Sequence, residues 1–235
     1  NEFVIKSIQL EGLKKVGDPN TLARKYYESG IDEIILIDTV ATLYGRNNLF
    51  EVINQITKDV FIPVTVGGGI RNQEDAEKLF NSGADKIAIN SQGVKEPKFV
   101  NFLAKKYGSQ SIVASIETKK ISDNWLVFTT NGRDMTEIKT LDWVKQCEDL
   151  GAGEILITSI DKEGTGLGAD IELISKILKK VKVPVILSGG IGGYEHINEL
   201  KSKVNIDAVA LSRVLHYNLV DINKVKSILS RNENE

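Results

Sequence analysis

Short, unbroken apolar runs alternate along the chain with longer segments whose apolar positions recur every three or four residues. The runs fall at 31–38, 61–66, 85–90, 111–117, 154–159, 183–188 and 207–212. Each is rich in Ile, Val, Leu and Ala and is bounded by turn residues, the pattern of strands buried on both faces. The segments between them predict helices over 19–29, 47–58, 73–82, 97–107, 140–149, 170–180, 194–202 and 219–230. Such strict alternation predicts a parallel sheet wrapped by helices, and the count predicts an α/β (β/α)8 TIM barrel whose first strand would lie before Asn1. A further run, 125–130, follows a polar link and predicts a hairpin above the barrel, with Trp125 packing it down. The tail SRNENE reads as disordered.

The pattern also repeats on a longer scale. "VTVGGGIRN" at 64–72 returns as "VILSGGIGG" at 185–193, and "GIDEIILID" from Gly30 answers "GAGEILITS" from Gly151. Pro63 answers Pro184 at the same displacement, and "GADKIAIN" answers "NIDAVALS" with one residue inserted. These matches predict one barrel domain, 1–235, made of two half-barrels of about 1–109 and 110–230. A twofold barrel sets related loops on opposite sides of its rim. There the chain places Gly67, Gly68 and Gly69, then Asn90 and Ser91, and across from them Gly189, Gly190 and Ser212. Glycines let backbone approach an oxyanion closely, and N–H groups at a helix start bind phosphate without a lysine. Two facing nests suit a small ligand with a phosphate at each end.

Composition narrows the partners. The chain has 235 residues, 41% hydrophobic and 26% charged, enough for a sizeable core. Thirty basic against thirty-two acidic residues give a net charge of -2, so there is no basic field for nucleic acid or an anionic membrane. No apolar run reaches the length of a membrane span. The lone Cys147 rules out an intramolecular disulfide and points to a reducing compartment, the cytoplasm. His196, His216 and Cys147 lack metal-ligand spacing, so neither a metal nor another cofactor is expected.

Charged residues at the strand ends carry the chemistry. Glu117 ends the fifth barrel strand, at the rim where barrel enzymes keep catalytic groups. Asp38, ending the second strand, is a supporting candidate. Glu33, Lys86 and Glu154 each begin an even-numbered strand, at a barrel floor that is ordinarily apolar. Buried charges survive when paired, so these three are expected to form one charged ring.

The stretches "FVIKSIQLEG…GDP", "GIDEIILID", "PVTVGGGIRN", "GADKIAIN", "GSQSIVASIE", "GAGEILITSIDKEGTG" and "VILSGGIGG" together resemble the HisF family, the cyclase subunits of imidazole glycerol phosphate synthase, from Phe3 to about His216. The resemblance implies a duplicated half-barrel enzyme that takes ammonia from a glutaminase partner at the N-terminal face of the barrel. It implies conversion of a bis-phosphate ribulosyl-formimino substrate into imidazole glycerol phosphate and an aminoimidazole carboxamide ribotide. It further implies that Lys6 lies in a flexible first loop folding over substrate, that Glu163 and Gly164 border a phosphate, and that Glu33, Lys86 and Glu154 form the ammonia gate. The family's acid–base pair is two aspartates; here one would precede Asn1 and the other is Glu117. Glu163 also stands where the family usually has aspartate. These departures leave two alternatives open: a paralogue feeding ammonia to an amidotransferase that makes amidino sugars for surface glycans, or a non-catalytic phosphate-binding scaffold.

Overall fold

A computed structural model describes residues 3–39 and 49–230. The chain opens with an antiparallel hairpin of β1 (Val4–Ile8) and β2 (Glu11–Gly17), turning through Gln9 and Leu10, both with left-handed backbone at φ 54 and 62. The flexible loop expected around Lys6 is therefore a paired ladder, and Lys6 itself is buried. Its amino group is tied down by a carboxylate distant in sequence, which no local pattern signals.

Seven parallel strands follow in alternation with helices: β3 (Ile34–Ile37), β4 (Val64–Gly67), β5 (Lys86–Ile89), β6 (Ile112–Ile121), then, after a hairpin, β9 (Glu154–Ser159), β10 (Val185–Ser188) and β11 (Ala208–Ala210). The hairpin strands are β7 (Asn124–Thr129) and β8 (Asp134–Lys139), antiparallel to each other, with β7 laid against the upper half of β6. The sheet order β3-β4-β5-β6-β9-β10-β11 closes almost completely into the barrel of the (β/α)8 class. The eighth strand expected upstream of Asn1, the tail from 231 onward and positions 47 and 48 of the second predicted helix lie outside the described residues.

Strand register sorts side chains into two cores, because successive residues face opposite sides. Outward residues such as Val64, Val66, Ile87, Ile112, Ile155 and Leu187 are fully buried against the helices and form the large core. Inward, Ala88, Val113, Leu156 and Ile186 form a separate small cluster, joined by Ile35 and Ala210. Four of the helices start where a side chain satisfies one of their orphan N–H groups. Asp18, Asn72, Asp170 and Asp221 accept from Thr21, Asp75, Leu173 and Lys224, each cap contributing about 1 kcal/mol. The Asp221 cap is why the last helix begins at Ile222 instead of 219. Among the described residues, no helix is long and apolar enough to cross a membrane.

Candidate active site

Glu117 is carried on β6, on the inward face shared with Val113 and Ser115. It lines a cavity of about 210 Å³ at the C-terminal mouth of the barrel, with Asp38, Gly68, Gly69, Asn90 and Ser91 around it. Burial pushes its carboxyl up to about 7, although the Gly132 N–H, hydrogen-bonded to it, and the Asn90 side chain beside it act the other way. The Gly132 bond is short, 2.7 Å to Oε2. At neutral pH this carboxyl populates both protonation states, which is what an acid–base group requires.

Gly132 belongs to the tip of the β7–β8 hairpin. Thr130, Asn131 and Gly132 all take left-handed backbone, at φ 55, 57 and 73, and Thr130 N–H donates to Ser91 Oγ at 3.0 Å. Left-handed backbone at two consecutive non-glycine residues costs on the order of 1 kcal/mol each. Here it turns the tip into the cavity, where Asn131 lines the wall. Sequence reading missed these residues because β8 is largely polar, although the dipeptide Asn131-Gly132 is itself a hairpin-turn signal. Trp125, on the same hairpin opposite Lys120, is buried, donates to Asp170 at 3.1 Å and is flanked by the ammonium groups of Lys120 and Lys176.

The two glycine nests have parallel construction. Gly68 and Gly69 follow β4 at φ 96 and 70; Gly189 and Gly190 follow β10 at φ 105 and 92. A Cβ at Gly68 would strike the Asp38 backbone, and one at Gly190 would strike the backbone of Gly168. Close chain crossings therefore demand these glycines, whatever else the nests hold. The first nest opens into the Glu117 cavity. The second is a recess of about 20 Å³ lined by Glu163, Gly164, Gly189, Gly190, Ser212 and Arg213, among others.

Glu163 is heavily engaged. Its carboxylate accepts from Lys6 Nζ at 2.8 Å, Ser7 Oγ at 3.2 Å and Leu10 N–H at 3.1 Å, while its carbonyl accepts from Gln9 N–H at 2.9 Å. It thus fastens the first hairpin to the rim, and Lys6 and Glu163 neutralise each other beside the second nest. Arg71 and Arg213, one beside each nest, also went unnoticed in the sequence. Arg71 lies 3.7 Å from Asp75, and Arg213 reaches over Gly166.

At the opposite end of the barrel, Lys86 Nζ stands 3.0 Å from both oxygens of Glu33 and 2.6 Å from Glu154 Oε1. Burial alone would discourage the Lys86 charge; the hydrogen bonds to Glu154 and Glu33 outweigh it and hold its pKa above the usual lysine value. The three residues expected to meet at the floor do so. His196 and His216 sit elsewhere in separate roles: His196 Nδ1 accepts from Gly192 N–H at 2.9 Å, and His216 Nδ1 is 2.6 Å from the Tyr26 hydroxyl.

The family model described as histidine biosynthesis protein matches residues 3–221. Three similar proteins carry the name imidazole glycerol phosphate synthase subunit HisF. That of Legionella pneumophila is 50% identical over 196 residues, 83% of this chain and 92% of its own length. The Saccharolobus solfataricus protein is 43% identical over 228 residues, 97% of this chain and 91% of its own. For Bacillus cereus the figures are 42% over 224 residues, 95% and 89%.

Proposed function

The chain belongs to the family of histidine biosynthesis proteins, and from that premise we propose that it is an enzyme, the cyclase subunit of an imidazole glycerol phosphate synthase. It uses ammonia released by a glutaminase partner to convert a bis-phosphate ribulosyl-formimino substrate into imidazole glycerol phosphate and aminoimidazole carboxamide ribotide. The HisF name carried by the relatives supports this reading over the surface-sugar and scaffold alternatives.

The observation that carries it is the stacking of two features on one barrel: a Lys86-centred charged floor and, above it, a cavity whose wall holds Glu117. Phosphates at the two ends of the substrate sit in the two nests, the first on Gly67 to Gly69, Asn90 and Ser91, the second on Gly164, Gly189, Gly190 and Ser212 with Glu163 at its border. That span draws the reacting carbon and nitrogen centres across Glu117, which exchanges protons with them, aided by Asp38. Lys6, freed from Glu163, reaches the substrate from the hairpin above and helps exclude water. The glutaminase docks on the N-terminal face, so ammonia enters neutral past Glu33, Lys86 and Glu154, charges already balanced against one another.

The test is direct. The purified chain, given the bis-phosphate formimino substrate and an ammonium salt, yields imidazole glycerol phosphate; with a glutaminase subunit added, glutamine replaces the salt. Failure with both nitrogen sources overturns the reading.

A further inference from the structure

Asn90 stands just beyond the end of β5, on the inward face it shares with Lys86 and Ala88, and it lines the cavity beside Glu117. Its side chain lies beside Glu117, and its amide opposes the upward shift of that carboxyl by favouring the carboxylate. The other end of that amide is unanswered: Oδ1 is sealed from solvent and meets no hydrogen-bond donor among the described residues. A buried acceptor left so costs about 1–3 kcal/mol, and its persistence in a functional cavity asks for a ligand that supplies the donor.

Phosphate is a poor answer. A phosphate dianion brings acceptors to a carbonyl that needs a donor. A small neutral N–H donor arriving from the barrel interior matches that chemistry and reaches the atom with the least displacement of the cavity wall. Below Asn90 the cavity wall includes the small inward residues Ala88 and Ser115, and Lys86 lies beneath Ala88 on the same strand face. Among the described residues two further buried oxygens lack a hydrogen-bond partner, the Thr65 hydroxyl and Glu154 Oε2, and both lie at that lower level, Thr65 being the cross-strand neighbour of Lys86.

We infer that Asn90 is the receiving contact for ammonia: Oδ1 accepts an N–H of the nucleophile beside Glu117, while the amide nitrogen holds the Glu117 carboxyl in place. This rests on the cyclase reading above and narrows it, taking the Asn90 side chain away from the phosphate nest and leaving phosphate to the backbone there and to Ser91. An amide oxygen suits the task better than a carboxylate. It orients ammonia through a hydrogen bond and leaves the lone pair free, whereas a carboxylate at that point favours ammonium, which cannot attack.

Steady-state kinetics with ammonium chloride as the nitrogen source, without glutaminase, separates the possibilities. In Asn90→Ala the KM for ammonia rises about tenfold, the worth of one good hydrogen bond, while the KM for the bis-phosphate substrate stays within about twofold. Asn90→Asp keeps an acceptor but removes the donor to Glu117 and adds a like charge, so the ionisation that governs activity moves up by about one pH unit or more. Among the described residues the charged groups facing that site are Glu117 itself, Asp38, Arg71 and Lys95, all retained in both variants. A merely structural Asn90 moves neither the ammonia KM nor the pH profile selectively. If Asn90→Ala does not fold, the Asn90→Asp profile decides, and an unmoved profile overturns the inference. A raised KM for the bis-phosphate with an unchanged ammonia KM overturns it too, returning Asn90 to phosphate binding while the cyclase reading stands. Wild-type protein that fails to turn over with ammonium overturns the cyclase reading first and this inference with it.

Discussion

The nest after β4 and the nest after β10 share a backbone and differ in what surrounds it. In both, an aspartate at the start of the next strand accepts from the first strand residue, Asp85 from Val64 N–H and Asp207 from Val185 N–H. In both, a side chain on the following helix accepts from the loop: Asp75 from Arg71 N–H, His196 from Gly192 N–H. The contents then diverge. The first nest opens beside Glu117 into about 210 Å³; the second holds about 20 Å³, crowded by Glu163, Lys6 and Arg213. Backbone hydrogen bonding preserves the repeated frame, and a few rim side chains make one copy roomy and reactive and the other a tight anchor.

The sharpest break in that comparison is Glu117→Gln. Removing the proton-exchanging group cuts ammonia-dependent turnover by about 10²–10⁴-fold with little change in substrate affinity, measured as kcat against KM. The same variant tests the raised pKa. Because the folded protein holds the Glu117 proton more tightly than the usual carboxylate value of 4.5, its contribution to stability is full below that value and lost as pH rises through about 7. The variant therefore gains stability relative to wild type at pH 8.5, and less so at pH 5.5, in thermal melts; an equal difference at both pH values contradicts the burial argument.

Gly68→Ala and Gly190→Ala strike the shared frame. Each puts a Cβ into another backbone at positive φ, and each costs about 2 kcal/mol or more in denaturant unfolding. A mild effect at one site alone shows that its chain crossing relaxes and that the frames are unequal. Lys86→Ala leaves Glu33 and Glu154 without their cation; with these groups only partly buried, the loss is about 1–3 kcal/mol. Glutamine-dependent turnover falls while ammonium-dependent turnover is largely kept. Equal loss of both assigns the ring a structural role.

A smaller effect probes what is peculiar to the second nest. Glu163→Gln weakens the charged hold on Lys6 without changing shape, so the β1–β2 hairpin exchanges its amide hydrogens faster while the first nest is untouched. The smallest is His196→Ala, which removes one neutral acceptor from the second loop and costs about 1 kcal/mol.

Much of this was legible in one dimension. Periodicity located all seven described barrel strands and the longer helices, since burial on both faces of a strand and on one stripe of a helix leaves a local hydrophobic record; the short helices Ser91–Lys95 and Arg213–His216 are too brief to leave one. Strand ends were less exact, because pairing partners decide them: β3 is confined to Ile34–Ile37, while β6 runs on to Ile121 where β7 pairs with it. Glu33, Lys86 and Glu154 were findable because a charge at the start of a buried strand is locally anomalous.

What the sequence determined by itself is therefore the alternating barrel, its repeated glycine exits and the places where charge interrupts apolar runs, all encoded by neighbours in the chain. Tertiary structure decided the rest. It brought Lys6, Ser7 and Leu10 onto Glu163, swung the Thr130–Gly132 tip over Glu117, and set Asn90 beside Glu117 with its Oδ1 buried and meeting no donor among the described residues. Those outcomes depend on contacts between residues far apart in sequence and on how much water each group loses. Hydrogen-bond partners and dielectric surroundings are properties of the assembled space, and no window of sequence contains them.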